Sequence, residues 1–306
     1  MVINYPLNPE KRIYIGYLFT SVLMAYYVYK KSKSKKTFWA YLVPKKVWLS
    51  FSASTDYIFI VFNSFVKIIF IAPCLIVGLY LAYYVNEYLM RWFGIHTFEM
   101  NTFLLTVIYT FVLTLFSDFT SYLVHYAQHK IPFLWEFHKV HHSATELNPL
   151  TQYRIHPVEL LLNNLKTLVV IGLTAGIFDY FSDARMDKLT FLSVNIFSFL
   201  FLAFGANLRH THIRFTYFDT LEYIFISPFQ HQIHHSSNAK HFDKNMGAKL
   251  AVWDWLFGTL VRSKEVDTVS FGLGEHDNTY NSFWKNLYKP FSNNYKRLLS
   301  FFIHKV

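Results

Sequence analysis

Long apolar runs set the first limit on this chain. A bilayer core of roughly 30 Å takes about 20 residues of helix to cross. Four or five stretches meet that length, near residues 13–29, 68–85, 102–124, 159–180 and 189–208. Residues 57–66 are also apolar, but Lys67 and Pro73 interrupt them, so they read as an interfacial lead-in or a kinked entry to the second span. The balance of residues agrees. The chain is 53% hydrophobic and 16% charged, where soluble domains carry about 25% charged residues. A chain of this kind is partly solvated by lipid, and its expected fold class is all-α.

Charge placement gives an orientation. The net charge of +10 suggests nucleic acid only until its location is considered, because much of it lies between the apolar runs. Lys30, Lys31, Lys33, Lys35, Lys36, Lys45 and Lys46 crowd into one connecting segment, and short Lys-rich loops face the cytoplasm. Five spans threaded from that anchor put residues 30–56, 125–158 and 209–306 on the cytoplasmic side. No cleavable secretory leader is expected, since the first apolar run is long, lacks a small-residue cleavage site and ends in "KKSKSKK". The single cysteine, Cys74, rules out an intrachain disulfide and a thiolate metal site of the finger type.

Histidines are distributed as unevenly as the lysines. "HYAQH" supplies His125 and His129, "HKVHH" supplies His138, His141 and His142, and "HQIHH" supplies His231, His234 and His235. Spacings of three and four put side chains on one face of a helix, a turn apart. That is how a helix aims several imidazoles at one point. Pro132 breaks the helix between the first two groups and lets the second fold back. A lone histidine in an apolar chain is usually a hydrogen-bonded structural residue. Two H-x-x-H-H boxes after an H-x-x-x-H arise by chance roughly once in a thousand such chains, by counting template matches. Eight imidazoles exceed the four ligands of one tetrahedral ion, so two metals are the economical reading. Imidazole suits zinc, copper, iron and nickel alike. The carboxylate-bridged di-iron pattern of Glu and Glu-x-x-His is absent, so any di-iron centre here must be rich in imidazole. Asp118 and Tyr122 precede His125 by seven and three residues on the same helical face, as candidates to orient a ligand. Glu159 and Asp243 are looser candidates, and all four have ordinary solvated or capping roles open to them.

With these residues in view, the chain resembles the fatty acid hydroxylase superfamily, in its sterol desaturase-like bacterial form. The resemblance covers roughly residues 118–260 and is carried by "HKVHHSA", "NPLTQYRIHPVE", "NLRHTHI", "ISPFQHQIHHSSNAKHFDKNMG" and "WDWLFGTL". It departs at Tyr126, where the family often has arginine after the first histidine. Membership implies an integral membrane helical bundle with a cytoplasmic histidine-rich dimetal cap. It further implies two iron ions, with zinc possible in purified protein, and a reaction that uses molecular oxygen and two electrons to hydroxylate or desaturate a lipid such as a sterol or fatty acyl chain. It adds His210 as a ligand, with His212 and His156 as further candidates. His241 is open between ligand and structural residue, whereas His96, His276 and His304 fall outside the pattern. The expected organisation is an N-terminal membrane region over residues 1–112, a catalytic domain over 113–262 and a cytoplasmic tail over 263–306. Residues 249–261 read either as an interfacial helix beside a substrate entrance or as a lid over the metal helices.

The residues show neither a G-x-G-x-x-G nucleotide loop nor an "HPGG"-type haem module. Electrons are therefore expected from a separate donor, such as a b-type cytochrome or a ferredoxin with its reductase. The expected location is a multi-pass protein of the bacterial inner membrane or endoplasmic reticulum. Two other readings remain at this stage: a zinc-dependent membrane hydrolase that activates water, and a non-catalytic membrane metal carrier or sensor. Ligands gathered at one membrane face disfavour a carrier, which strings them along a path.

Overall fold

The computed structural model describes residues 2–95, 101–182, 188–191 and 194–303. Among these, three helical runs are long and apolar enough to cross a membrane: Phe51–Phe93, Thr102–Lys130 and Pro157–Tyr180. The first joins α4 (Phe51–Val66) to α5 (Leu75–Phe93). Between them lie a π turn at Lys67–Ile71 and a tight turn at Ala72–Cys74 that contains Pro73. Proline has no N–H to give the helical ladder, and the irregular stretch falls where Lys67 and Pro73 predict an interruption. Ahead of α4 come α1 (Ile15–Ser32) and two short helices, α2 (Phe38–Leu42) and α3 (Lys45–Trp48).

The spans α6 (Thr102–Lys130) and α8 (Pro157–Tyr180) pack antiparallel. Tyr109 meets Phe178 at one end with ring centroids 5.1 Å apart, and Lys166 Nζ donates to Ser121 Oγ at 2.7 Å toward the other. α5 runs parallel to α8 and very close to it. A Cβ on Gly172 would sit 2.8 Å from the Gly78 carbonyl, and one on Gly176 2.5 Å from that of Ala82. Glycine is what permits this backbone approach, the usual way helices pack where lipid supplies no hydrophobic drive.

Two expected spans are not found as spans among the described residues. Of residues 189–208, those described fold as a short antiparallel pair, β1 (Thr190–Phe191) with β2 (Val194–Asn195), then the eight-residue α9 (Ile196–Ala203). Asn195 caps α9 through Phe197 N and Ser198 N, and Gly205, at φ 88°, ends it. At 1.5 Å per residue α9 covers about 12 Å, far short of a bilayer. α1 is a helix, but its tyrosines and terminal lysines leave it outside the three apolar runs. It packs sideways, with Tyr17 against Phe199 and Ala25 against Leu208 and Ile213. Apolar composition is shared by lipid-facing and protein-facing helices, so composition alone over-counts spans.

The remaining helices, α7 (Pro132–His142), α10 (Pro228–His234), α11 (Val252–Leu256) and α12 (Phe283–Ile303), gather with their loops where α6 ends and α8 begins. α6 has 29 residues, about 44 Å of helix, so its last turns project past a hydrocarbon core into this cap. The cap is knitted by polar groups. Arg154 Nε donates to Asp56 Oδ1 at 2.6 Å, and the other carboxylate oxygen accepts from Asn148 Nδ2 at 2.8 Å and Thr151 Oγ1 at 2.7 Å. Both members of the pair are fully buried. Residues 263–303 also belong to the cap: Phe291 meets Phe137 edge to face at 5.3 Å, and Asn294 Nδ2 donates to the Phe133 carbonyl at 3.1 Å.

Candidate metal centre

Three local devices aim the histidines. Pro132 stands at the first position of α7, where its missing N–H costs nothing. It turns the chain sharply after α6, bringing His138, His141 and His142 back over His125 and His129. α10 opens with Pro228 and a reciprocal capping box between Ser227 and Gln230, which fixes the start of the helix that carries His231 and His234. His210 ends the turn Ala206–His210 that follows Gly205.

Nine imidazoles converge in two groups, each with its ligand atoms within 4.8 Å of one another: His125, His129, His138, His142 and His234 in one, His141, His210, His231 and His235 in the other. In the first group His138 Nε2 lies 3.1 Å from His125 Nε2 and 3.2 Å from His142 Nε2. In the second, His210 Nε2 is 3.1 Å from His235 Nε2, 3.1 Å from His231 Nε2 and 3.3 Å from His141 Nε2. The outer nitrogens decide what these short separations mean. His125 Nδ1 reaches the Met246 carbonyl at 2.7 Å, His234 Nδ1 that of Lys244 at 2.8 Å, and His141 Nδ1 that of Arg154 at 3.2 Å. A carbonyl only accepts, so each of these rings carries its proton on Nδ1 and presents a bare lone pair at Nε2. Glu159 Oε1 does the same for His138 Nδ1 at 2.9 Å. Lone pairs aimed at each other across about 3 Å repel unless a cation sits among them. His129 Nε2 and His234 Nε2 are buried without any hydrogen-bond partner, as expected of nitrogens reserved for metal. Tetrahedral nitrogens at 2.0–2.1 Å from an ion stand roughly 3.3 Å apart, so the donor set fits metal in both groups. His231 differs: its Nδ1 faces a donor, Arg209 Nη2, at 3.2 Å, and its place rests on convergence alone.

Burial keeps the cap imidazoles neutral. Desolvation pushes His138 and His141 down to about 3, and His142, His210, His231, His234 and His235 well below the usual value, with neighbouring imidazoles adding to the effect. The neutral ring is the form that ligates.

The other sequence candidates lie elsewhere. His156 caps α8, accepting from Val158 N at 3.1 Å through Nδ1, while its Nε2 donates to the Leu287 carbonyl at 3.1 Å. Both its nitrogens are engaged outside the two groups. His212 Nε2 bonds the Tyr41 carbonyl at 2.7 Å, and His241 joins neither group. His96 and His304 lie outside the described residues. Of the carboxylates, Glu159 meets His138, and Asp243 Oδ1 approaches His129 Nδ1 at 3.4 Å while also pairing with Lys130. Asp118 instead accepts from Lys249 N, Leu250 N and Trp253 Nε1, each at 3.0 Å, and Tyr122 meets Thr259 at 3.2 Å. These two brace the loop that follows the third histidine box and hydrogen-bond to no imidazole among the described residues.

Sequence reasoning missed the residues that hold the outer carbonyls in place. Asp254 accepts from Met246 N and Gly247 N, both at 2.7 Å, and so fixes the carbonyl that His125 uses. The Asp56–Arg154 pair does the same for His141 through the Arg154 carbonyl. The available signal was a carboxylate inside an apolar run, "WDWL" in one case and "STDYIF" in the other. The apolar side chains that follow Asp254 stay outside: Trp255, Leu256 and Phe257 are exposed.

Membrane-length helices capped by buried, metal-competent imidazoles define a class, the membrane proteins with a histidine-rich metal site. The family follows from comparison. Residues 110–259 match the fatty acid hydroxylase model, and the chain belongs to that family. Relatives include alkylglycerol monooxygenase of Caenorhabditis elegans, 28% identical over 55% of this chain and 30% of the relative. The human alkylglycerol monooxygenase is 28% identical over 53% and 32%. Ornithine lipid hydroxylase OlsE of Rhizobium tropici is 26% identical over 58% and 48%. The matched region thus spans about a third of the alkylglycerol monooxygenases and about half of the ornithine lipid hydroxylase. No solved structure matches this chain.

Proposed function

We propose that this protein is an oxygen-dependent lipid hydroxylase with two metal ions, both iron in the working enzyme, one in each imidazole group. The observation that carries the reading is the pair of converging lone-pair clusters, buried at the end of membrane-length helices. When bound, redox-active iron supplies the one-electron steps that let dioxygen attack an unactivated C–H bond. The chain's own residues do the rest. His125, His141 and His234 are held in one tautomer by backbone carbonyls, and His138 is oriented by Glu159. Burial of the imidazoles keeps bulk water from the reacting atoms.

The relatives are named for an alkylglycerol and for an ornithine lipid, which supports hydroxylation rather than desaturation, on a lipid with a polar head. An apolar cavity of about 220 Å³ is lined by Leu18, Val22, Leu42, Val47 and Leu147 and by Leu208 and Thr211, which flank Arg209 and His210 in the chain. It suits an alkyl chain. The Lys-rich segment 30–46 supports a cap that faces the cytoplasm, where a separate electron donor would meet it.

The test is isotopic. Anaerobically purified protein should contain iron, and with labelled dioxygen and a reductant its lipid product should carry the label. Product formed without oxygen or reductant, with label arriving from water, would instead establish the zinc hydrolase.

A further inference from the structure

The C-terminal helix is more than a solvated tail. α12 docks one side on the cap: the Phe283 ring sits 5.0 Å from Phe59 and 5.2 Å from Phe62, and Leu287 supplies the carbonyl that His156 uses. Another side is bare. Trp284, Tyr288, Tyr295, Leu298 and Phe302 follow at helical spacing, all more than half exposed, Trp284 at 72%, and Phe291 lies at the edge of this row with its ring against Phe137. Such a continuous apolar stripe marks an interaction surface. Beside it stand Lys285, whose Nζ donates to Asn281 Oδ1 at 3.0 Å, Lys289 and Lys296, and residues 283–303 contain no Asp or Glu. Of the helix's four cations, only Arg297 has an acidic partner among the described residues, Glu136 at 3.6 Å.

The neighbouring helix shows what covers the stripe. α4, on which Phe283 packs, exposes its own apolar row of Phe51, Ile58, Val61 and Phe65. It then continues through Lys67–Cys74 into α5, within a run long and apolar enough to cross a membrane. α12 is therefore pinned to a helix that enters the bilayer. Tryptophan and tyrosine favour the headgroup level, and an acid-free row of lysines complements anionic lipid. A second protein would need an acidic rim to match the same lysines.

We propose that α12 lies in the headgroup layer of an anionic bilayer. Its Trp284–Phe302 stripe sinks to the acyl boundary, about 5–10 Å deep as for interfacial helices, while Lys285, Lys289 and Lys296 meet lipid phosphates. This inference is independent of the reaction catalysed.

Site-directed spin labelling of the full chain tests it. In a Cys74→Ala background, single labels go at Tyr288→Cys, Tyr295→Cys and Leu298→Cys on the stripe, and at Lys289→Cys and Ser300→Cys beside it. Each variant is reconstituted in phosphatidylcholine bilayers with and without phosphatidylglycerol, and retained metal content checks the fold. The expected result is oxygen accessibility severalfold above that of a water-soluble nickel chelate at 288, 295 and 298, and the reverse at 289 and 300. The contrast should shrink without phosphatidylglycerol, and also when Lys285→Gln, Lys289→Gln and Lys296→Gln are combined behind the Tyr295 label. High chelate access at all five positions would show a helix in water. Low access to both reagents along the stripe would show a protein partner. A contrast indifferent to lipid charge and to the triple variant would remove the anionic surface. Each of these outcomes overturns the proposal.

Discussion

The two H-x-x-H-H boxes share a spacing yet divide their histidines in opposite senses. On α7, His138 and His142 join the five-membered group and His141 goes to the four-membered one; on α10 and its C-cap, His231 and His235 join the four and His234 crosses to the five. In each box the i and i+4 residues stay together while i+3 departs. At 100° per residue, i and i+4 stand about 40° apart around a helix, whereas i+3 lies about 100° from i+4. Two such boxes facing each other thus exchange one histidine each and lace both groups together. The groups differ in their remaining members: α6 adds a helical pair, His125 and His129, to the first, while the second receives only His210 from a tight turn.

That inequality predicts unequal tolerance. Replacing His235 by Ala should abolish turnover and empty the four-membered group, so metal bound per chain falls by about half. His129→Ala leaves four imidazoles in its group and should retain most of its metal. Elemental analysis of both purified variants checks this, and equal losses would break the comparison.

The next effect is on stability and is confined to one side. Arg154→Met leaves Asp56 buried and unpaired, a change that costs about 3–5 kcal/mol, and it frees the carbonyl that orients His141. Thermal unfolding should drop several degrees, with metal lost from the four-membered group first. Loss from the five-membered group instead would mean that the two centres are not held separately.

Within the five-membered group the two carboxylates can be ranked. Glu159 is buried against His138, whereas Asp243 is about one-third exposed and more distant from His129. Substituting residues that orient ligands weakens metal binding by about 10–100-fold. Glu159→Gln belongs at the upper end of that range and Asp243→Asn at or below the lower end, measured by chelator competition. The smallest effects fall outside both groups. His212→Ala should leave metal content unchanged, and His156→Ala should cost about 0.5–2 kcal/mol as a lost helix cap, again without metal loss. Metal loss in either would return that histidine to the ligand set.

Much of the metal centre was legible in the chain because its pattern is local. Spacings of three and four specify a shared helical face wherever the helix goes, and Pro132 and Pro157 mark helix starts whatever surrounds them. Eight of the nine converging histidines stand in the three boxes, and His210 was added by family resemblance. The spans were less legible. The 102–124 and 159–180 runs lie within α6 and α8, but the described part of 189–208, equally apolar, folds as a strand pair and a short helix, because Asn195 starts and Gly205 stops a helix whose limits hydropathy does not see.

What the amino-acid sequence by itself determined was the kind of chain: helical, lipid-solvated in part, with imidazoles arranged for metal. Tertiary structure decided the partition. It split each box between two imidazole groups, put His156 and His212 outside both, and set the backbone carbonyls of Lys244, Met246 and Arg154 against the outer nitrogens of His234, His125 and His141. The physical reason is that every residue carries the same carbonyl. No side chain announces which one will meet an imidazole across 121 positions of chain, as Met246 meets His125. Only packing, through Asp254 and the Asp56–Arg154 pair, brings that acceptor to the ring.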